Sequence, residues 1–340
     1  MAEPLLEVKN LKVSFRTEDG VVRAVDGVSF AVDQGEVLGI VGESGSGKSV
    51  TMMSVLRLIN DPNMQVEGEV IYKGRDLMKL HKDEMREVRG DEIAMIFQDP
   101  MTSLNPVYRV GDQIVEAILI HQDIGKPAAR RRAVELLHQV GIPHAEGRVD
   151  DYPHQFSGGM RQRAMIAMAL ANNPDILIAD EPTTALDVTI QAQIIELIDK
   201  LKDEFNSAIV LITHDLGVVA EIANEIVVMY AGRVVERAPT RQLFYDPQHP
   251  YTWGLLGSIP RLDRPKASRL HSIEGMPPSL ISSPQGCKFR PRCPHAFEKC
   301  TEEPELVSRI DKRDHLDRCW LDPSVKRVAR YQTIEGGQAA

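Results

Sequence analysis

From residue 5 to residue 32, hydrophobic and polar side chains alternate in short segments: Leu6-Glu7-Val8, Leu11-Lys12-Val13 and Val28-Ser29-Phe30-Ala31-Val32. Asp19-Gly20 and Asp26-Gly27 break the pattern. A period of two with turn residues between segments predicts antiparallel strands, each with one covered face. Val37-Leu38-Gly39-Ile40-Val41 is apolar throughout, as a strand buried on both faces should be. A helix is expected from residue 49 to about 59, then a short strand over 68–72 and a charged helical stretch near 82–89. Another strand, over 93–97, stops at Gln98-Asp99-Pro100. Between residues 110 and 172 the period lengthens to that of helices: Ile114, Ala117 and Ile118 recur at that spacing, as do Ala133, Leu136, Leu137 and Val140. Ile176-Leu177-Ile178-Ala179 and Ala208-Ile209-Val210-Leu211-Ile212 read as strands, separated by a helix near 188–204. A strand, a crossover helix and a strand imply parallel pairing. A helical block thus interrupts an α/β sheet. Beyond Asp246 the chain turns rich in proline, arginine and histidine, with weak periodicity.

Composition narrows the class. The 340 residues are 43% hydrophobic and 26% charged, with a formal net charge of −9. That profile fits a soluble chain and lacks the basic excess of a nucleic-acid binder. No apolar run approaches the roughly 20 residues of a membrane-spanning helix. The N-terminal residues carry no basic segment followed by an apolar one, so a cytoplasmic protein with reduced thiols is expected. All 4 cysteines lie between Cys287 and Cys319.

The chemistry begins at Gly42-Glu43-Ser44-Gly45-Ser46-Gly47-Lys48-Ser49, directly after the continuous apolar strand. A strand, a glycine turn and a helix start are the parts of a phosphate cradle. Gly42, Gly45 and Gly47 let backbone N–H groups, Ser44's among them, turn inward, where a Cβ would obstruct. Lys48 would reach the terminal phosphates and the Ser49 hydroxyl would ligate Mg²⁺. The strand ending in Asp180-Glu181 brings two carboxylates to the carboxyl edge of the sheet. There Asp180 can hold Mg²⁺ and Glu181 can deprotonate the attacking water. Ser157-Gly158-Gly159 before an apolar helix leaves bare N–H groups at a helix start, suited to a γ-phosphate. Gln98 and His214 follow other strands, where an amide could join the Mg²⁺ shell and an imidazole could donate to the γ-phosphate.

Together these residues resemble the ATP-binding cassette of ABC transporters over about residues 5–245. Gly42 to Ser49 matches the Walker A motif, Gln98 the Q-loop and Ser157-Gly158-Gly159 the core of the signature. Asp180 and Glu181 match Walker B and its base, Ala185-Leu186-Asp187 the D-loop, and His214 the switch histidine. Phe15 is similar to the aromatic that stacks on adenine. One departure is Met160, where the signature usually has glutamine. The resemblance implies a P-loop NTPase (RecA-like) α/β fold with an antiparallel β subdomain, a helical insert over about 100–172 and a small Cys-rich C-terminal module. It also implies head-to-tail pairing of two cassettes, each ATP lying between one Walker A motif and the partner's Ser-Gly-Gly.

The segment Ile96-Phe97-Gln98-Asp99-Pro100-Met101-Thr102-Ser103-Leu104-Asn105-Pro106 and the later His249-Pro250-Tyr251-Thr252 extend the resemblance to ATPases of oligopeptide and dipeptide importers, closest to the D-type. That implies an F-type ATPase partner, two permeases, an extracytoplasmic solute-binding protein, no nucleic acid, and a place on the cytoplasmic membrane face. Importers of nickel and other solutes share these motifs. A soluble ABC ATPase of ribosomes or DNA is the rival class; one cassette and a compact insert argue against it. In the tail, 246–340, Cys287, Cys293, Cys300 and Cys319 suit metal ligation in a reducing compartment, and their spacing leaves zinc and iron–sulfur open. The resemblance implies a 4Fe–4S cluster with a structural role, because the tail has little periodic apolar sequence. His295 and His315 are expected to be solvated.

Overall fold

The computed structural model describes residues 3–99, 103–184, 186–259, 273–310 and 314–334. Pro100, Met101 and Thr102 of the long Q-loop and Ala185 of the D-loop lie outside them. The chain forms two compact units. The first comprises the segment ending at Leu5, Val32–Val37 and Asp76–Ile212; the second comprises Leu6–Ala31, Leu38–Arg75 and the chain from Thr213 onward.

In chain order the strands are β1 (Leu6–Thr17), β2 (Gly20–Val32), β3 (Val37–Val41), β4 (Met64–Tyr72), β5 (Arg75–Asp76), β6 (Ile93–Ile96), β7 (Ile176–Asp180), β8 (Ala208–Thr213), β9 (Glu225–Tyr230), β10 (Arg233–Pro239) and β11 (Leu316–Asp317). The alternating N-terminal segments join into long strands, and β1 pairs antiparallel with β4, Val8 facing Val70 and Phe15 facing Met64. Leu6, Val8, Leu11 and Val13 are buried and the residues between them are more exposed, as a period of two requires.

In the first unit, β6, β7 and β8 run parallel, with Ile96 opposite Ala179 and Asp180 opposite Ile212. Every residue of β7 and β8 is buried, which explains their unbroken apolar sequence. The helices Val110–His121, Lys126–Gln139 and Gly158–Ala169 form the helical part. Their mutual contacts bury Ile114, Ile118, Ala133, Leu136 and Leu137, most of the residues picked out by spacing. Ala117 instead lines a groove of about 650 Å³ with Met95, Phe97, Ile120, Met165 and Met168.

In the second unit, β3 pairs parallel with β9, and β9 turns into antiparallel β10. The far end of the chain returns here: β11 pairs with β10, Glu236 opposite Asp317. Helix Pro250–Gly257 buries Tyr251 and Trp253 completely. Beside these and Phe289, much of the tail's interior is polar. Glu236, itself buried, accepts the N–H groups of Gln248 (2.5 Å) and His249 (2.9 Å), and His315 Nε2 lies 2.7 Å away. Lys326 donates to Asp317 at 2.6 Å, both side chains buried. His315 is therefore a core residue. The expectation of a solvated ring fails because Glu236, 79 positions earlier, supplies a buried partner. Among the described residues no helix is long and apolar enough to cross a membrane.

Candidate functional site

The loop after β3 is shaped by its glycines. Gly42, Gly45 and Gly47 have φ of +152°, +77° and +98°. A Cβ on Gly42 would stand 2.2 Å from Met229 O, and one on Gly47 would stand 2.4 Å from Ala24 O. Both positions therefore require glycine. Helix Lys48–Val55 follows with no side-chain cap at its start, so its first N–H groups are not satisfied by a cap side chain. Lys48 is only 5% exposed, and its Nζ donates to the carbonyls of Gly42 (2.7 Å) and Glu43 (3.1 Å). Ser46 Oγ is buried and has no hydrogen-bond partner among the described residues. Ser44 and Gly45 are exposed and Ser49 is half-buried. The cradle suits an anion, for it combines backbone donors with a buried cation.

In the first unit, the carboxyl edge of the parallel strands carries the acids. Asp180, the last residue of β7, is buried. Glu181 has φ of +47°, a left-handed backbone that an ordinary residue adopts at about 1–3 kcal/mol. Its N–H donates to Ile212 O at 2.8 Å, which locks the turn. The side chain is held as firmly: Oε2 accepts from Gln98 Nε2 (3.0 Å) and from Thr184 Oγ1 (2.8 Å). Gln98 and Glu181, 83 positions apart, are thus brought together as a strand-edge pair. Nothing in the sequence singled out Thr184 as the second donor; its place three residues beyond the base was the available signal.

Ser157 caps helix Gly158–Ala169 through a 3.3 Å bond from the Met160 N–H. Met160 thus joins the signature through its backbone, which a glutamine would do equally. Ser157 and Gly158 are exposed, while Gly159 sits close enough to Ile190 that a Cβ there would stand 3.0 Å from it. Asp187 precedes helix Val188–Phe205 and is exposed without a capping bond, beside Val188, which is 84% exposed. In the second unit, His214 is exposed immediately after β8, and Asp215 caps the next helix by accepting from Gly217 N at 2.8 Å. Phe15 is half-exposed on β1.

In the tail, Cys287, Cys293, Cys300 and Cys319 all line one small cavity and none forms a disulfide. Burial pushes the thiols of Cys293 and Cys319 up to about 12 and raises Cys287 as well. Such thiols stay protonated unless a cation draws the proton off. Among the described residues no group of three His, Cys, Asp or Glu side chains is placed to hold a single metal ion. His295 lines the same cavity; the residue is half-exposed, but its Nε2 is buried without a partner among the described residues and its ring lies 5.6 Å from Trp253, so it is only partly solvated. Trp253 covers the ring from the Pro250–Gly257 helix.

Comparison with known proteins agrees with this geometry. Residues 25–184 match the family described as ABC transporter, and residues 235–300 match the family described as oligopeptide/dipeptide transporter, C-terminal region. The oligopeptide transport ATP-binding protein OppD of Bacillus subtilis is 52% identical over 97% of this chain and 93% of its own. The dipeptide transport ATP-binding protein DppD of Escherichia coli is 54% identical over 91% of this chain and 94% of its own. The dimeric ATP-binding cassette MJ0796, solved in a post-hydrolysis state bound to ADP and Pi, superposes with a TM-score of 0.62 at 30% identity, covering 69% of this chain and 99% of that one. With a P-loop of this shape and relatives of this identity along nearly its whole length, the chain belongs to the family of ATP-binding subunits of oligopeptide and dipeptide ABC transporters.

Proposed function

We propose that this protein hydrolyses ATP to drive import of di- and oligopeptides, as a peripheral subunit on the cytoplasmic face of the membrane. Residues 5–245 form the ATPase and 246–340 a tail that supports it. Phe15 stacks on adenine, the amides of Gly42, Ser44, Gly45 and Gly47 with Lys48 grip the phosphates, and Glu181 takes the proton from the attacking water. Ser49, Gln98 and Asp180 would hold Mg²⁺, which when bound neutralises phosphate charge. His214 donates to the γ-phosphate. Ser157, Gly158, Gly159 and Asp187 serve the nucleotide of a partner cassette, consistent with the exposure of Ser157, Gly158 and Asp187. The carrying observation is Glu181, whose carboxylate is fixed by Gln98 and Thr184 at the edge where the strand order delivers Asp180.

The partners follow from the same reading: an F-type ATPase, two permeases and an extracytoplasmic solute-binding protein. The apolar groove beside Phe97 and Ile120, which are 42% and 64% exposed, suits a short helix from a permease. For the tail we propose a 4Fe–4S cluster held by Cys287, Cys293, Cys300 and Cys319. Four thiols lining one small cavity are a donor set that a cluster held by four cysteines would use. When bound, the cluster would cross-link four points of a segment with little apolar core. Iron and sulfide assays on anaerobically purified protein test it, and stoichiometric zinc would reverse the assignment.

The transport reading is tested by reconstituting this subunit with its permeases and binding protein in liposomes. ATP turnover should rise when peptide-loaded binding protein is added, and peptide should accumulate. Accumulation of nickel with no response to any peptide would refute the substrate class.

A further inference from the structure

Glu43, the residue after Gly42, is held from several sides in the second unit. Its N–H donates to the Tyr251 hydroxyl at 2.8 Å, and its carbonyl accepts from Lys48 Nζ at 3.1 Å. Its carboxylate receives both terminal nitrogens of Arg292, at 2.6 Å and 3.0 Å. That is a bidentate, charge-assisted pair. Arg292 is no surface partner, for its side chain is only 4% exposed. Nε donates to Glu274 O (3.0 Å) and Nη2 also to Ile273 O (3.2 Å), so the guanidinium plane is fixed by backbone. Behind it Tyr230, Tyr251 and Phe289 pack with ring centroids 4.7–5.4 Å apart. Arg292 itself lies in the turn Arg290–Arg292, between Cys287 and Cys293.

A simple ion pair stapling the tail would explain the Arg292–Glu43 contact. It would not explain why the backbone N–H and C=O of Glu43 are engaged as well. With the Glu43 N–H turned to Tyr251, the Gly42–Glu43 peptide presents the Gly42 carbonyl to Lys48 Nζ at 2.7 Å, so the tail sets the orientation of the loop's first peptide. The charge argument is independent. An unpaired carboxylate one residue from Gly42 would oppose a triphosphate in the adjoining cradle, and the Arg292 guanidinium cancels it.

We infer that Arg292 and Tyr251 are positioning residues for ATP binding: from the cysteine-bearing tail they fix Glu43 and neutralise it, presetting the phosphate loop. The inference rests on the ATPase reading above. The test uses the assembled complex, measuring MgATP affinity with a fluorescent nucleotide and steady-state turnover. Arg292→Ala should weaken affinity about tenfold and raise KM more than it lowers kcat. Arg292→Lys, which keeps the charge, should recover part of that loss. Adding Glu43→Gln to Arg292→Ala should recover most of it, because the uncompensated charge is gone. Tyr251→Phe, which removes one hydroxyl from a buried ring, should weaken affinity about threefold. Tryptophan fluorescence, with Trp253 buried in the tail, tells whether the tail stays packed. Unchanged affinity in Arg292→Ala overturns the inference, as does a double variant no better than the single with the tail intact. If Arg292→Ala loosens the tail, Tyr251→Phe decides, and wild-type affinity there overturns the inference. Wild-type protein that binds no ATP would instead refute the ATPase reading and leave the clamp's geometry untouched.

Discussion

Every residue of β7 and β8 is buried, and all but Asp180 and Thr213 are apolar, whereas the tail hides His249, His315, Asp317 and Lys326 in its interior. The two regions are ordered by different forces. Burial of non-directional apolar surface aligns the strands and leaves their edge free for Asp180 and Glu181. The tail depends on directional contacts, Glu236 with His315 and Asp317 with Lys326, in which each group is tolerable only while its partner is present. The first region should respond gradually to change, and the second abruptly.

The largest effect should come from chemistry rather than stability. Glu181→Gln keeps the shape and the bond from Gln98 but cannot accept a proton, so turnover in the complex should fall about 10²–10⁴-fold with ATP binding retained. Unchanged turnover would remove Glu181 from its role. Next is Glu236→Ala, which orphans two buried N–H groups and the His315 ring. It should weaken the tail by about 3–5 kcal/mol, read as an earlier denaturant transition in tryptophan fluorescence. The chain's 2 tryptophans, Trp253 and Trp320, are both in the tail, so that signal is local. Ile178→Val in β7 should cost about 0.5–1.5 kcal/mol by hydrogen exchange of the strand and leave tail fluorescence unchanged. If the order of these two losses were reversed, the contrast between the regions would fail.

The smallest effect is a pH dependence. Burial alone would raise the Asp26 carboxyl, but Lys288 at 2.9 Å and Arg233 at 2.8 Å hold it below its usual value. A depressed carboxyl stabilises the fold above its unfolded pKa, near 4, and that contribution disappears as pH falls through the lower folded value. The wild-type tail should therefore lose stability in acid below about pH 4, and Asp26→Asn should be weaker at neutral pH with a flatter acid limb. Parallel curves for the two proteins would count against it.

The same contrast explains what was legible in the residues. Buried parallel strands are unbroken apolar runs, and tight backbone turns demand glycine, so β3, β7, β8 and the loop at Gly42, Gly45 and Gly47 could be read directly. Gln98 and the pair Asp180-Glu181 were legible because each directly follows such a run. The left-handed backbone at Glu181 was not, since an ordinary residue there carries no mark of the turn it occupies. Nor was the tail's interior. His315 looked solvated because its partner is a charged residue of β10 far away in sequence, and Arg292 looked like one basic residue among several. Charge pairs across long separations leave no periodicity, so the tail's buried ion pairs could not be read from its residues.

The pairing of β11 with β10 bears on how this chain is made. Leu316–Asp317 is synthesised long after β10, with which it pairs. Until then the outer side of β10 offers open hydrogen-bonding groups and Glu236 has no imidazole to meet. Completion of this unit is thereby deferred until β11 has been made, and a message truncated after Asp246 would yield a product with a sticky margin, prone to aggregate.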